Sequence, residues 1–330
     1  MTSSYIWKKG QELLGTKYAI LGGAMSWVSE RNLVSAISNA GGFGVLACGA
    51  MTPELLDKEI KATQKLTSKP FGVNLITMHP ELNQLIKTCK DNNVTHVVLA
   101  GGLPKSYMID ALKDNKIKVI AFAPALVIAK KLIKMGVDGI VIEGTEAGGH
   151  IGPVSTIVLA QEILPTLKDE IPIFVAGGIG RGEVIAGFLK MGAAGCQLGT
   201  RFVCSHESIA HENFKNIFIK SHARNATISI QFDPNFPVIP VRAIENKATK
   251  EFISIQKQAL EKYNNGELSK EEVQLMIEHY WAGALRKAVI DGDIENGSVM
   301  AGQSVGMVSS VQSIEEIIQE LVQQTYAEFK

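Results

Sequence analysis

Among the seven histidines of this 330-residue chain, His150 stands where an imidazole could do chemistry. It lies in "EGTEAGGHIG", directly after an apolar run and beside Gly148 and Gly149. Glycine allows a ligand to approach the backbone closely, and an imidazole can hold or move a proton near neutral pH. We therefore predict that His150 is a proton-handling residue rather than a metal ligand, and we predict no metal site.

Two further glycine segments are suited to binding a phosphate. The segment "VAGGIGRGEV" places Gly177 and Gly178 between an apolar run and the start of a helix, and "CQLGTRF" ends the next apolar run at Gly199 and Thr200. Backbone N–H groups from both segments could converge on a phosphate, and a helix N-terminus would add positive potential. The two segments lie one βα unit apart, so we expect them at the same edge of a parallel sheet.

The elements that would position these residues are eight short apolar runs separated by amphipathic helical patterns. Each run has the continuous hydrophobicity of a parallel strand that is covered on both faces. Eight consecutive βα units predict an α/β fold of the (β/α)8 TIM-barrel type, with a doubly wound sheet as the alternative. The predicted strands are 18–25, 43–49, 71–77, 95–102, 118–124, 139–145, 171–178 and 195–202.

The regular alternation ends shortly after Phe202. Residues 205–270 are too long and too polar for a βα loop, which predicts an inserted cap or lid subdomain after strand 8. We therefore expect the main part of the barrel in 1–204 and C-terminal helices completing it in 271–330. The helical pattern at 271–292 is assigned to the eighth unit, and 313–329 forms a final helix.

Composition and charge exclude several classes of partner and location. The chain carries 33 basic and 33 acidic residues, which gives no electrostatic reason to expect nucleic acid. It has no apolar run of membrane-spanning length and no N-terminal signal-peptide pattern, and its four cysteines form no CxxC pair. We expect a cytoplasmic protein whose partners are a small-molecule substrate and, at most, a second copy forming a homodimer.

Taken in order, "GGAM", "GGFGVLA", "KPFGVN", "EGTEAGGHIG", "VAGGIG", "GCQLGTRF" and "GSVMAGQSVG" resemble the 2-nitropropane dioxygenase-like flavoprotein family. That family contains nitronate monooxygenases and flavin-dependent enoyl-acyl carrier protein reductases. The resemblance implies an FMN-binding barrel with a cap over the flavin, and it assigns the catalytic histidine to His150. The implied FMN contacts are Ala24, Met25, Asn74, Glu143, Gly148, Gly149, Gly177, Gly178, Gln197, Leu198, Gly199 and Thr200.

The resemblance implies an oxidoreductase of the nitronate monooxygenase type, which oxidises alkyl nitronates or nitroalkanes with O2. The alternative is an enoyl-thioester reductase that uses FMN with NAD(P)H as reductant, and a third hypothesis is a non-catalytic flavin-binding subunit. Glu143 departs from the glutamine usual in nitronate monooxygenases and looks closer to the reductases. An ionised carboxylate there would disfavour negative charge on a flavin, unless burial keeps it protonated. A purine-nucleotide dehydrogenase barrel is disfavoured because no cysteine follows a Gly-Ser loop.

Overall fold

The computed structural model describes residues 5–233 and 238–330, and its centre is a barrel of eight parallel strands. Every one of these strands falls within a predicted apolar run, because their side chains are buried between the barrel interior and the surrounding helices. The barrel strands are β1 (Ile20–Gly22), β2 (Gly44–Ala47), β3 (Phe71–Ile76), β4 (His96–Ala100), β5 (Lys118–Phe122), β6 (Gly139–Glu143), β8 (Ile173–Ala176) and β9 (Gly195–Leu198). A two-residue strand, β7 (Gly149–His150), lies in the connection between β6 and β8.

The strand order closes the sheet on itself. Neighbouring strands follow the order β1-β9-β8-β6-β5-β4-β3-β2, and a parallel bridge between Leu21 and Phe43 joins the two ends. At this seam the N–H of Phe43 donates to the carbonyl of Ile20 at 2.8 Å, and the N–H of Gly22 donates to the carbonyl of Phe43 at 2.9 Å. The predicted barrel is confirmed, and the doubly wound alternative is wrong because a doubly wound sheet has two free edges.

Thirteen α-helices and three short 3₁₀ segments accompany the strands in the described residues. At the start of the third helix the hydroxyl of Thr52 accepts the N–H of Leu55 at 3.3 Å, with Pro53 in the first turn. The α-helices are α1 (Lys8–Leu14), α2 (Arg31–Asn39), α3 (Pro53–Leu66), α4 (Leu82–Asp91), α5 (Ser106–Lys113), α6 (Leu126–Lys134), α7 (Thr156–Leu167), α8 (Gly182–Met191), α9 (Thr200–Val203), α10 (Glu212–Lys220), α11 (Lys247–Asn264), α12 (Lys270–Val289) and α13 (Ile314–Ala327).

A small antiparallel sheet and a helical hairpin follow the barrel strands. The sheet pairs β10 (Ala226–Ile228) with β11 (Val241–Ile244), and β11 pairs in turn with β12 (Val299–Met300) and with β7. Helices α11 and α12 pack against each other around a separate apolar cluster, in which the rings of Phe252 and Trp281 lie 4.2 Å apart between centroids. We call β10, β11, α11 and α12 the cap.

The helix that completes the eighth βα unit differs from the one assigned by sequence. Helix α12, which covers most of 271–292, packs on α11, whereas α13 lies between α8 and α2 on the outside of the barrel. Helix α13 buries Ile317, Ile318 and Leu321 there. The domain boundaries near residues 204 and 270 stay a prediction. No helix in the described part of the chain is long and apolar enough to cross a membrane.

Candidate functional site

The loop after β1 is held by a backbone hydrogen bond to β9 and by the side chain of Ser29. The N–H of Gly23 donates to the carbonyl of Leu198 at 2.8 Å, and the hydroxyl of Ser29 donates to the carbonyl of Gly23 at 2.8 Å. The same hydroxyl accepts the N–H of Met25 at 3.0 Å. These bonds place Ala24 and Met25 beside the end of β9, where a Cβ added to Gly199 would lie 3.3 Å from the sulfur of Met25.

The loop after β6 packs on the loop after β8 through Glu146. The carboxylate of Glu146 accepts the backbone N–H of Thr156 at 2.8 Å and the hydroxyl of Thr156 at 2.9 Å, which satisfies the first turn of α7. A Cβ added to Gly178 would lie 2.9 Å from the Cβ of Glu146. The glycine-rich loops after β6 and β8 are therefore in direct contact.

The loop after β8 presents a row of unused hydrogen-bond donors. Gly177 and Gly178 adopt left-handed conformations with φ of +96° and +71°. Within residues 5–233 and 238–330, none of the backbone N–H groups from Gly177 to Arg181 donates to a protein acceptor, and neither does that of Gly199. Successive free N–H groups in such conformations, next to the N-terminus of α8, form a concave site for an anion.

A C-terminal loop closes the space between these segments. The N–H of Gly302 donates to the hydroxyl of Thr200 at 3.0 Å, and the N–H of Gln303 donates to the carbonyl of Glu146 at 2.9 Å. Gly148 is packed so closely that an added Cβ would lie 2.6 Å from the backbone nitrogen of Gly302. The segment "AGQSVG" at 301–306 thus contacts the loops after both β6 and β9.

His150 lies at the mouth of the barrel and is held there by a cap strand. In the antiparallel pair of β7 and β11, His150 faces Val241 and Gly149 faces Arg242. The N–H of Ile151 extends this pairing by donating to the carbonyl of Pro240 at 3.0 Å. The His150 side chain is exposed. An imidazole in this position is accessible to a substrate that enters from above the strands.

The remaining predicted site residues occupy strand ends around the barrel. Asn74 on β3 is buried across the barrel from β8, and its amide donates to the carbonyl of Val98 at 3.0 Å. Gln197 is buried beside Gly23. Leu198 packs its side chain in the core, so only its backbone reaches the loop after β1. The structure brings together the loops after β1, β6, β8 and β9, with Asn74 apart from them.

Glu143 is the last residue of β6, and its carboxyl group has no hydrogen-bond partner in the described part of the chain. Burial raises the pKa of Glu143 from its ordinary value of 4.5 to about 8, because the charged form loses its hydration. With this pKa the protonated form of the carboxyl group predominates at neutral pH. It can donate a hydrogen bond and adds no negative charge to the site.

A family model described as nitronate monooxygenase matches residues 8–93 and 82–324. The chain belongs to the nitronate monooxygenase family. It is therefore an oxidoreductase enzyme, and the family resemblance predicted from sequence is confirmed. One relative is a probable nitronate monooxygenase of Staphylococcus saprophyticus. It is 27% identical to this chain, over 94% of the chain and 96% of its own length.

Other relatives of this family member carry different names. A (3aS,4S,5R,7aS)-5-hydroxy-7a-methyl-1-oxo-octahydro-1H-indene-4-carboxyl-CoA dehydrogenase from Rhodococcus jostii is 35% identical over 67% of the chain, a match that spans 62% of that relative's length. The solved structure of FabK from Thermotoga maritima aligns with a TM-score of 0.85 at 32% identity, covering 97% of this chain and 96% of its own. Nitroalkane oxidase from Streptomyces ansochromogenes, at 22% identity and a TM-score of 0.78, shares the fold.

Sequence reasoning gave no individual role to three residues that organise the site of this nitronate monooxygenase family member. Glu146 caps α7 and supports Gly178, Gly302 bonds to Thr200, and Arg242 reaches the loop after β6 from the cap. A signal was available for Gly302, because "AGQ" repeats the small-residue pattern of the other close backbone contacts. For Arg242 the sequence holds no signal, since Thr145 is distant along the chain, and for Glu146 the bonds to Thr156 depend on the path of the loop between them. Among residues 5–233 and 238–330 no three His, Cys, Asp or Glu side chains cluster as a metal site.

Glu143 should make the protein less stable as the pH rises. The folded protein keeps the Glu143 proton up to about pH 8, whereas the unfolded chain releases it near 4.5, so stability falls between these values by about 1.4 kcal/mol per pH unit at most. We expect Glu143→Gln to remove this slope. The difference in the free energy of unfolding in favour of the variant should be largest above pH 8. Urea unfolding across this pH range tests the prediction. Glu162→Gln, on the exposed face of α7, is the control, and equal slopes for all three proteins would contradict it.

Proposed function

We propose that this protein is an FMN-dependent oxidoreductase that oxidises alkyl nitronates and nitroalkanes with O2. The observation that carries the FMN assignment is the row of free backbone donors from Gly177 to Arg181, with Gly199 beside it. A phosphate monoester is the part of FMN that such donors recognise. The structural similarity to flavin-dependent relatives is in agreement with this assignment.

The residues present fit a phosphate at this position. A Cβ on Gly177 would lie 2.9 Å from the hydroxyl of Thr156 and 3.0 Å from the carbonyl of Gly144, so only glycine leaves the backbone donors accessible. The nearby carboxylate of Glu146 does not occupy the free donors of the loop after β8, because it is bonded to the start of α7. Gly177, Gly178, Gly199 and Thr200 would hold the phosphate, and Ala24, Met25, Asn74, Glu143, Gly148, Gly149, Gln197 and Leu198 would surround the rest of the cofactor.

Bound FMN would supply the redox chemistry, while the chain handles the proton and the charge. A neutral nitroalkane must lose its α-proton before it can be oxidised, and a ring nitrogen of His150 would accept that proton. An alkyl nitronate has already lost it. The protonated carboxyl of Glu143 leaves the site without an additional negative charge, which suits an anionic nitronate.

A second candidate is an NAD(P)H-dependent enoyl-thioester reductase. Supporting observations are the relative named as a carboxyl-CoA dehydrogenase and the 32% identity to FabK, which exceeds the 22% identity to nitroalkane oxidase. In this reaction His150 would deliver a proton to the reduced substrate instead of removing one.

Anaerobic absorbance of the FMN-loaded protein distinguishes the two candidates. We expect an alkyl nitronate to bleach the flavin and O2 to restore its colour, with free FMN as the control. Bleaching by NADH or NADPH, followed by reoxidation with a crotonyl thioester and no response to nitronate, would replace the first candidate with the second. If neither the nitronate nor NAD(P)H bleaches the bound flavin, both candidate reactions are ruled out.

A further inference from the structure

A buried arginine joins the cap to the loop that carries His150. Arg242 lies on β11 and is 4% exposed. Its Nε–H donates to the carbonyl of Thr145 at 2.7 Å, and its Nη1 donates to the carbonyl of Ala226 on β10. One guanidinium group therefore bonds to the loop after β6 and to the cap at the same time.

Arg242 forms no ion pair with a carboxylate in the described part of the chain, and burial lowers its pKa. The charge of Glu146 partly offsets this effect. A buried cation is costly unless its donors are satisfied, so the guanidinium group has a strong requirement for the two carbonyl acceptors. Since hydrogen bonds from charged donors are stronger than neutral ones, this contact resists separation of the cap from the loop.

The loop from Thr145 to Ile151 is bonded to β11 near both of its ends. The side chain of Arg242 holds the carbonyl of Thr145, and the carbonyl of Pro240 holds the N–H of Ile151. Between these points His150 pairs with Val241. Gly149 has φ of +77°. Because glycine populates positive and negative φ about equally readily, the backbone of Gly149 does not by itself fix the geometry of the loop. The position of His150 therefore depends on the cap strand.

We infer that Arg242 is a positioning residue for His150: it fixes the loop from Thr145 to Ile151 against β11 and so sets where the imidazole stands above the barrel. The inference rests on the proton-handling role of His150 given in the proposed function. It concerns loop geometry, however, so it can be tested by a measurement that needs no substrate.

The first test is hydrogen exchange of the backbone amides in 145–151 of the FMN-loaded protein. In Arg242→Met these amides should exchange roughly tenfold faster or more, because a hydrogen bond from a charged donor contributes about that much to an opening equilibrium. Arg242→Lys, which keeps the charge but reaches fewer acceptors, should fall between. The control is Arg224→Met, an exposed arginine of the same region. Amides in 177–181 should stay unchanged in all variants.

The second test is turnover of the same variants on a substrate whose reaction needs proton transfer at His150: a neutral nitroalkane, or a crotonyl thioester with NAD(P)H if only NAD(P)H bleaches the wild-type flavin. We expect kcat of Arg242→Met to fall roughly 10²-fold, the effect of a displaced catalytic group, with a smaller change in KM. Added guanidinium ion should restore part of kcat in Arg242→Met and none in His150→Ala.

Unchanged exchange in 145–151 in both Arg242 variants would overturn the inference even if activity fell, and so would faster exchange with unchanged kcat. A wild type inactive on every substrate would contradict only the proposed function, because the exchange result would still decide the positioning role. If Arg242→Met does not fold, Arg242→Lys carries both tests.

Discussion

Replacing His150 with alanine should lower the turnover of a neutral nitroalkane by about 10²–10⁴-fold, the usual contribution of a positioned general base. Turnover of the corresponding alkyl nitronate should change little, because that substrate has no α-proton left to remove. The exposed position of His150 on β7 means that the change removes no buried packing. Steady-state O2 consumption with both substrates, on protein of equal flavin content, gives the comparison.

His279→Ala provides the matched control, since His279 is an exposed histidine of α12. It should leave both rates at their wild-type values. A loss of similar size for the nitroalkane and the nitronate would mean that His150 acts in binding rather than in proton removal. Wild-type rates for both substrates in His150→Ala would remove it from the reaction altogether.

Replacing Gly177 with alanine should weaken FMN binding about tenfold or more. A left-handed backbone costs an alanine roughly 1–2 kcal/mol, and the new methyl group would also press against Thr156 and the carbonyl of Gly144. Relief of this strain requires the loop after β8 to move, which separates the donors that would bind the phosphate. Quenching of flavin fluorescence in a titration of the FMN-free protein measures the affinity.

Gly187→Ala is the matched control in the helix that follows. Gly187 is exposed on α8 with no atom within 4 Å of an added Cβ, so alanine there should stabilise the helix by up to about 1 kcal/mol without altering FMN affinity. If Gly177→Ala binds FMN as tightly as the wild type, the phosphate does not lie on this loop. Weaker binding in Gly187→Ala would show that FMN affinity responds to substitutions outside the loop and would remove the evidence for a phosphate site there.

The barrel could be predicted from sequence because its evidence is local. Continuous apolar runs at 139–145 and 171–178 contain β6 and β8, and the glycines that follow each strand lie at the same end of the barrel. The place of α12 could not be predicted in this way. An amphipathic pattern identifies the face that a helix buries, but not whether that face meets α11 or the barrel. The outer helix of the eighth unit is therefore α13, and not the helix that the pattern at 271–292 predicts.

The charge state of the site could not be predicted from the sequence either, because it depends on the three-dimensional structure. The family resemblance implies that Glu143 lies near a flavin, yet its protonation depends on burial without a partner at the end of β6. The same holds for Arg242, which in "IPVRAIEN" reads as an ordinary residue of a short strand. Its importance comes from Thr145, a residue far away in the chain, whose carbonyl it contacts.

The pairing of β7 with β11 would divide the proposed chemistry between two structural origins. The proposed anion site consists of loops of the barrel itself, whereas the backbone of His150 belongs to a sheet whose other strands lie outside the barrel. Proteins that share this barrel could therefore differ in the inserted segment, and so in their acid–base behaviour, while they bind the same cofactor. Cap exchange between relatives would be a direct route to altered reaction specificity, and the junction to preserve is the hydrogen bond from Arg242 to Thr145.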